Sequence, residues 1–194
     1  KAEEYGIDVS DAASVTGVLG EIKQLESAGF SFEAAEASVV MMLKRQSPDY
    51  HRPFELVDYT VYVEHRSSRG MVTEATVKVK VGDQIIHTAS EGNGPVNALD
   101  NALRKGLIPL YPVMADFQLA DYKVRILNGA DGTAAITRVL IDTQNAHERW
   151  STVGVSENII EASWEALVDS LEYAFQPREE GTAPSERADT ARTP

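Results

Sequence analysis

Thr76-Val77-Lys78-Val79-Lys80-Val81-Gly82-Asp83-Gln84-Ile85-Ile86 is the stretch that decides the fold. From Thr76 to Val81, polar and β-branched residues alternate, which is the period of a strand with one buried and one wet face. Gly82-Asp83 then separates two such runs, so the spacing predicts a hairpin. Upstream, Tyr59, Val61 and Val63 keep the same alternation and mark an earlier strand. Downstream, Ile85 and Ile86 open a third strand, which ends at Glu91-Gly92-Asn93-Gly94. A helix follows. Pro95 suits its first position, where the missing N–H would have had no helical partner. Val96, Leu99, Leu103 and Leu107 recur at helical spacing and line one face.

The same plan then recurs. Asp58-Tyr59-x-Val61 returns as Asp121-Tyr122-x-Val124, and Ala102-Leu103 returns as Ala166-Leu167. Gly94 aligns with Asn158 as a helix start. Thr133 to Ile141 and Arg149 to Val155 read as strands, and Ile160, Trp164, Leu167, Leu171 and Phe175 as one helical face. Asn158 with Glu161 three residues on predicts a capping-box start. The expectation is an α+β fold of two pseudo-symmetric β-β-β-α units, residues 54–112 and 113–176. Two units are too few for a solenoid, so they should pair and bury their helices.

The segment 1–46 reads as a small helical subdomain. Val15, Val18, Leu19, Ile22 and Leu25 form one stripe, with Ser10 or Asp11 to cap it and Gly29 to end it. Ser31 is the expected cap of a second helix that buries Phe32, Ala35, Val39, Met42 and Leu43. The charged, helix-like opening Lys1 to Tyr5 suggests a cut from something longer. Pro48 and Pro53 break the helical pattern, making 47–53 a linker or hinge. The tail 177–194 has no apolar periodicity and is expected to be disordered when free.

The 194 residues carry 18 Lys+Arg against 30 Asp+Glu, a net charge of −12. Such a body repels phosphate backbones and anionic lipid surfaces, so neither nucleic acid nor membrane is an expected partner. No apolar run approaches the ~20 residues of a membrane span. There is no cysteine, which removes disulfides and thiol nucleophiles and fits a reducing cytoplasm. His51, His65, His87 and His147 stand at no metal-ligand spacing. No nucleotide-binding glycine motif and no nucleophile elbow is present. Neither a cofactor nor a catalytic constellation is expected in this segment, and a binding or regulatory role leads.

One loop has unusual chemistry. In Gly92-Asn93-Gly94-Pro95, two glycines let a ligand approach the backbone. The helix it opens offers free N–H groups and the positive end of a dipole. A carboxylate would be held there, and Val96, Ala98 and Leu99 could contact a small aliphatic side chain. An α-amino acid combines these parts. The same residues would also serve as a plain strand-to-helix turn.

Four stretches, Phe32 to Ser38, Glu91 to Asp100, Asp121 to Leu127 and Gly154 to Trp164, together resemble the C-terminal region of citramalate synthases, in the 2-isopropylmalate and homocitrate synthase superfamily. The likeness runs from Ala2 to about Phe175. It implies a regulatory domain that forms a homodimer and binds the end-product amino acid where two subunits meet, isoleucine or, for isopropylmalate synthases, leucine. It also implies an N-terminal TIM barrel, outside this sequence, that condenses acetyl-CoA with a 2-oxo acid using a divalent metal.

Carried over residue by residue, the resemblance implies an effector site of Gly92, Asn93, Gly94, Pro95, Val96, Asn97 and Ala98, with Leu119, Tyr122 and Ile126 on one strand and Ile136 on the next. In a regular strand Leu119 and Tyr122 would face opposite ways. Leu119 is therefore expected before the strand proper, or reaching across the dimer. The second unit has Ser156-Glu157-Asn158 in place of the glycine loop, and Glu157 adds a negative charge. One type of effector site per protomer follows.

Overall fold

A computed structural model describes residues 20, 22–27, 29–127, 132 and 135–176. Val15, Val18, Leu19, Ser10, Asp11, Thr133 and the tail lie outside the described residues. Two three-stranded antiparallel sheets each run in sequence order. The first holds β1 (Glu55–Arg66), β2 (Gly70–Val81) and β3 (Gln84–Gly92); the second holds β4 (Gln118–Ile126), β5 (Thr137–Gln144) and β6 (Arg149–Ser156). Before them lies α1 (Glu36–Arg45); α2 (Pro95–Leu107) follows β3 and α3 (Ile159–Ala174) follows β6. The fold is thus α+β, with two β-β-β-α units behind a helical part.

Alternation does the layering. Thr73, Ala75, Val77 and Val79 of β2 point to α2, and Thr137, Val139, Ile141 and Thr143 of β5 point to α3; all eight are buried. Each helix packs on the central and last strands of its own sheet, and the helices touch each other. One core joins the units, because Leu99, Leu103 and Leu107 of α2 cluster with Trp150, Trp164 and Leu171 of the second unit.

The repeat extends to hydrogen bonds. Thr88 Oγ1 donates to the Ala102 carbonyl at 2.7 Å, and Thr152 Oγ1, 64 residues on, donates to the Ala166 carbonyl at 2.7 Å. The edge strands repeat a defect too: β1 has a register shift between Leu56 and Asp58, and β4 has one between Leu119 and Asp121.

Three expectations about the helices need correction. Ser31 caps nothing; Phe32–Ala34 forms a 3-10 turn, and α1 starts at Glu36 with Ala35 as its N-cap. The helix buries Ala37, Ser38, Val40 and Met41, whereas Val39, Met42 and Leu43 of the expected row are only partly buried and Phe32 and Ala35 stand before its first residue. The reason is that it is wedged between two surfaces: Phe32, Ala35, Val39 and Met42 pack with Leu140 and Val153 of the second sheet's outer face, while α1 also lies on α3. At α3, Asn158 Oδ1 accepts from the Ile160 amide at 2.8 Å. Glu161, however, accepts from the Ser156 hydroxyl at 2.6 Å, and it is Ser156 Oγ that takes the Asn158 amide at 3.0 Å. The capping box is therefore relayed through Ser156.

Gly29 ends the residue 22–27 helical turn with φ +110 and its amide on the Glu26 carbonyl. That conformation disfavours any side chain, and a Cβ would also meet Leu127.

Candidate functional site

The loop from Gly92 to Pro95 brings β3 into α2. Its two glycines have different reasons. A Cβ on Gly92 would overlap the Ala98 amide nitrogen and come 2.7 Å from Ala98 Cα, so this glycine lets the strand end press against the helix. Gly94 faces open space, with nothing within 4 Å of where a Cβ would stand. Its φ of −173 is ordinary extended backbone.

Asn97 Oδ1 reaches back to accept from the Asn93 amide at 3.0 Å, which fixes the loop. The Ala98 amide closes the first helical turn on the Gly94 carbonyl at 2.9 Å. Among the described residues no side chain caps α2. Pro95 brings no N–H, so the first-turn amides of Val96 and Asn97 carry the positive end of the helix. At α3 the equivalent place is filled by the protein's own Asn158 side-chain Oδ1. The two helix starts, matched in sequence position, therefore differ in what they leave open to an anion.

β4 supplies the apolar side. Leu119 lies inside this strand, not before it, and it faces the same way as Tyr122. The physical cause is the bulge at Ala120: Leu119 pairs with Thr143 and Tyr122 with Ile141, two buried residues on one face of β5. One extra residue reverses the parity. Val124 and Ile126 continue the row opposite Val139 and Thr137. Because α3 packs over β5 and β6, this row is only partly covered: Leu119 is 36% exposed, Val124 43% and Ile126 60%.

Val96 and Tyr122, from different units, pack on one cluster of Val139, Ile141, Ala162, Ala166 and Leu167. The Tyr122 and Ser163 hydroxyls lie 2.8 Å apart, and Ser163 also donates to the Ile159 carbonyl. The helix start and the β4 row thus meet at the N-terminal half of α3. Ile136 does not join them by strand alternation. It precedes β5 by one residue, its carbonyl accepting from the Leu127 amide, and it shares the parity of Arg138 and Leu140 on the other face. Sequence reasoning missed Ser163, Ala162 and Val124. Val124 was accessible through the Asp121-Tyr122-x-Val124 repeat; Ser163 lies on a helix whose apolar stripe gives no hint of it.

Among the described residues no group of three or more His, Asp or Glu could hold a metal ion, and no helix is long and apolar enough to cross a membrane.

Residues 33–175 match the model of the LeuA allosteric (dimerisation) domain family. An (R)-citramalate synthase of Geobacter sulfurreducens is 48% identical over 182 residues, covering 93% of this chain and 34% of the relative. One from Streptomyces coelicolor is 44% identical, covering 96% of the chain and 35% of the relative. A 2-isopropylmalate synthase of Shewanella amazonensis is 28% identical over 91% of the chain and 31% of the relative. The chain spans about a third of the length of these curated relatives.

Proposed function

Since the chain belongs to the LeuA allosteric (dimerisation) domain family, we propose that it senses a branched-chain amino acid for a citramalate synthase-like acyltransferase. That enzyme would condense acetyl-CoA with pyruvate on a separate N-terminal barrel with its divalent metal. In this reading the chain itself condenses nothing. It dimerises and binds isoleucine at the subunit contact. The greater identity to citramalate synthases than to the 2-isopropylmalate synthase favours isoleucine over leucine.

The observation that carries the proposal is the meeting of Val96 and Tyr122 on one cluster, beside an uncapped helix start and an uncovered apolar row. The first-turn amides would take the effector's carboxylate. The β4 row would take its aliphatic side chain. Binding would change activity only as far as two states of the dimer bind isoleucine unequally.

Calorimetry with isoleucine, leucine and valine tests this directly. Heat with isoleucine and weaker heat with the others supports it; the branched isomers should differ by about 1–3 kcal/mol at most. No heat at millimolar concentration defeats the sensor reading, leaving a purely structural dimerisation domain.

The dimer has its own test. The half-exposed rows Leu56 and Val63 of β1 and Leu119, Val124 and Ile126 of β4 need covering. Ile126→Glu should shift sedimentation from dimer to monomer and remove isoleucine binding with it. A variant that still sediments as a dimer places the contact elsewhere.

A further inference from the structure

We infer that Glu172 is the positioning residue through which α3 holds the linker, and that occupancy of the effector site is read out at the linker through this carboxylate. The inference rests on the effector reading above for its ligand.

Glu172 is fully buried near the C-terminal end of α3. Its Oε2 accepts from Arg45 Nε and Nη2 of α1 at 2.9 and 2.6 Å, and from the Tyr50 hydroxyl of the linker at 2.7 Å. Arg52, also in the linker, stands 3.9 Å from Oε1. That second oxygen is buried without a hydrogen bond. One turn earlier, Asp169 takes Arg45 Nη2 and the Ser38 hydroxyl, each at 2.7 Å, and Ser38 Oγ also accepts from the Val153 amide of β6. Burial opposes the charge on Arg45, but Asp169 and Glu172 outweigh it and hold the guanidinium pKa above its ordinary value.

A buried carboxylate with several donors is an all-or-none device. Losing one donor leaves charge unmatched in a poorly solvated place, so the donors arrive and leave together. Glu172 therefore ties the linker's Tyr50 to α3 through the same carboxylate that takes Arg45, while α1 keeps Asp169 and its packing on the second sheet besides. The linker has little else beneath it: a cleft of about 400 Å³, lined by Arg45, Tyr50, His51, Arg52, Glu55 and Lys80, separates it from the first sheet. Its far end is fixed where the Tyr111 hydroxyl donates to the Pro53 carbonyl at 2.6 Å.

The same helix begins at the effector site. Ser163 touches Tyr122, and Glu172 lies nine residues on, about 13 Å along a stiff rod. A shift of α3 on closing around a ligand must move the carboxylate and what it holds.

Amide hydrogen exchange over residues 47–52, with and without isoleucine, reads this in the full chain. Isoleucine should slow linker exchange at least about threefold in the native sequence. Glu172→Gln should still bind isoleucine, weakened by no more than the factor by which isoleucine protects the native linker, yet exchange faster in the linker and gain no protection from the ligand. Tyr50→Phe, which removes only the linker's hydroxyl, should show part of the same loss and serves if Glu172→Gln does not fold. Ligand protection of the linker unchanged in either variant overturns the inference. So does a native linker that isoleucine leaves unprotected while calorimetry records binding. An absence of binding heat in the native chain is the distinct failure, that of the effector reading, and takes the coupling down with it.

Discussion

Gly154→Ala is expected to destabilise the chain by about 3 kcal/mol or more, the upper end of what overpacking costs. The added Cβ would overlap the Ala162 carbonyl oxygen and stand 2.9 Å from Glu165 Cβ. The first of these is helix backbone. It cannot rotate away, so α3 must lift off β6, and Trp164, Leu167 and Leu171 would lose packing with it. Gly106→Ala provides the graded comparison. Its Cβ would meet only side chains, Ile86 Cγ2 at 3.0 Å and Thr88 Oγ1 at 3.1 Å, and alanine's better helix propensity offsets part of that crowding, so stability should stay within about 1 kcal/mol of the native chain. Urea unfolding of the two variants measures the difference. A Gly154→Ala variant as stable as Gly106→Ala would mean that helix and sheet are not in such close contact.

Gly94→Asp is expected to weaken isoleucine binding at least about a hundredfold, or about 2.7 kcal/mol, without harming the fold. Gly94 has extended backbone and open space where the side chain would go. Aspartate is a favoured N-cap, and its charge suits the helix dipole, so thermal stability should hold or rise by about 1 kcal/mol. The same carboxylate would occupy the first-turn amides proposed for the effector. Lost affinity alongside kept or raised stability is a pattern that damage to the fold does not produce. Undiminished isoleucine binding by Gly94→Asp would remove the carboxylate from this helix start.

Much of the architecture was legible because it follows from local periodicity. The alternation at Thr76–Val81, the Gly82-Asp83 break and the four-residue rhythm from Val96 to Leu107 place β2, the hairpin and α2 in the structure. The repeat was legible because both units must solve the same packing problem, and Thr88 and Thr152 show how closely they do so. The faces of individual residues were harder. A bulge needs only one extra residue and leaves no pattern in Leu119-Ala120-Asp121, yet it turned Leu119 to the side of Tyr122. Ile136 went the other way for lack of one. The second buried face of α1 was invisible because it depends on α3 and β6, more than a hundred residues away.

Periodicity, turn residues and charge sign are properties of neighbours along the chain, so the sequence by itself determined the elements, their order, the twofold plan and the acidic character that disfavours polyanions. Which faces meet is a property of neighbours in space. Only the tertiary structure decided that Val96 and Tyr122 share a cluster, that Gly92 is needed by the helix while Gly94 is left open, and that a buried Glu172 gathers Arg45 and Tyr50. These contacts join segments distant in sequence, and their energies come from close packing and desolvation, which no local pattern encodes.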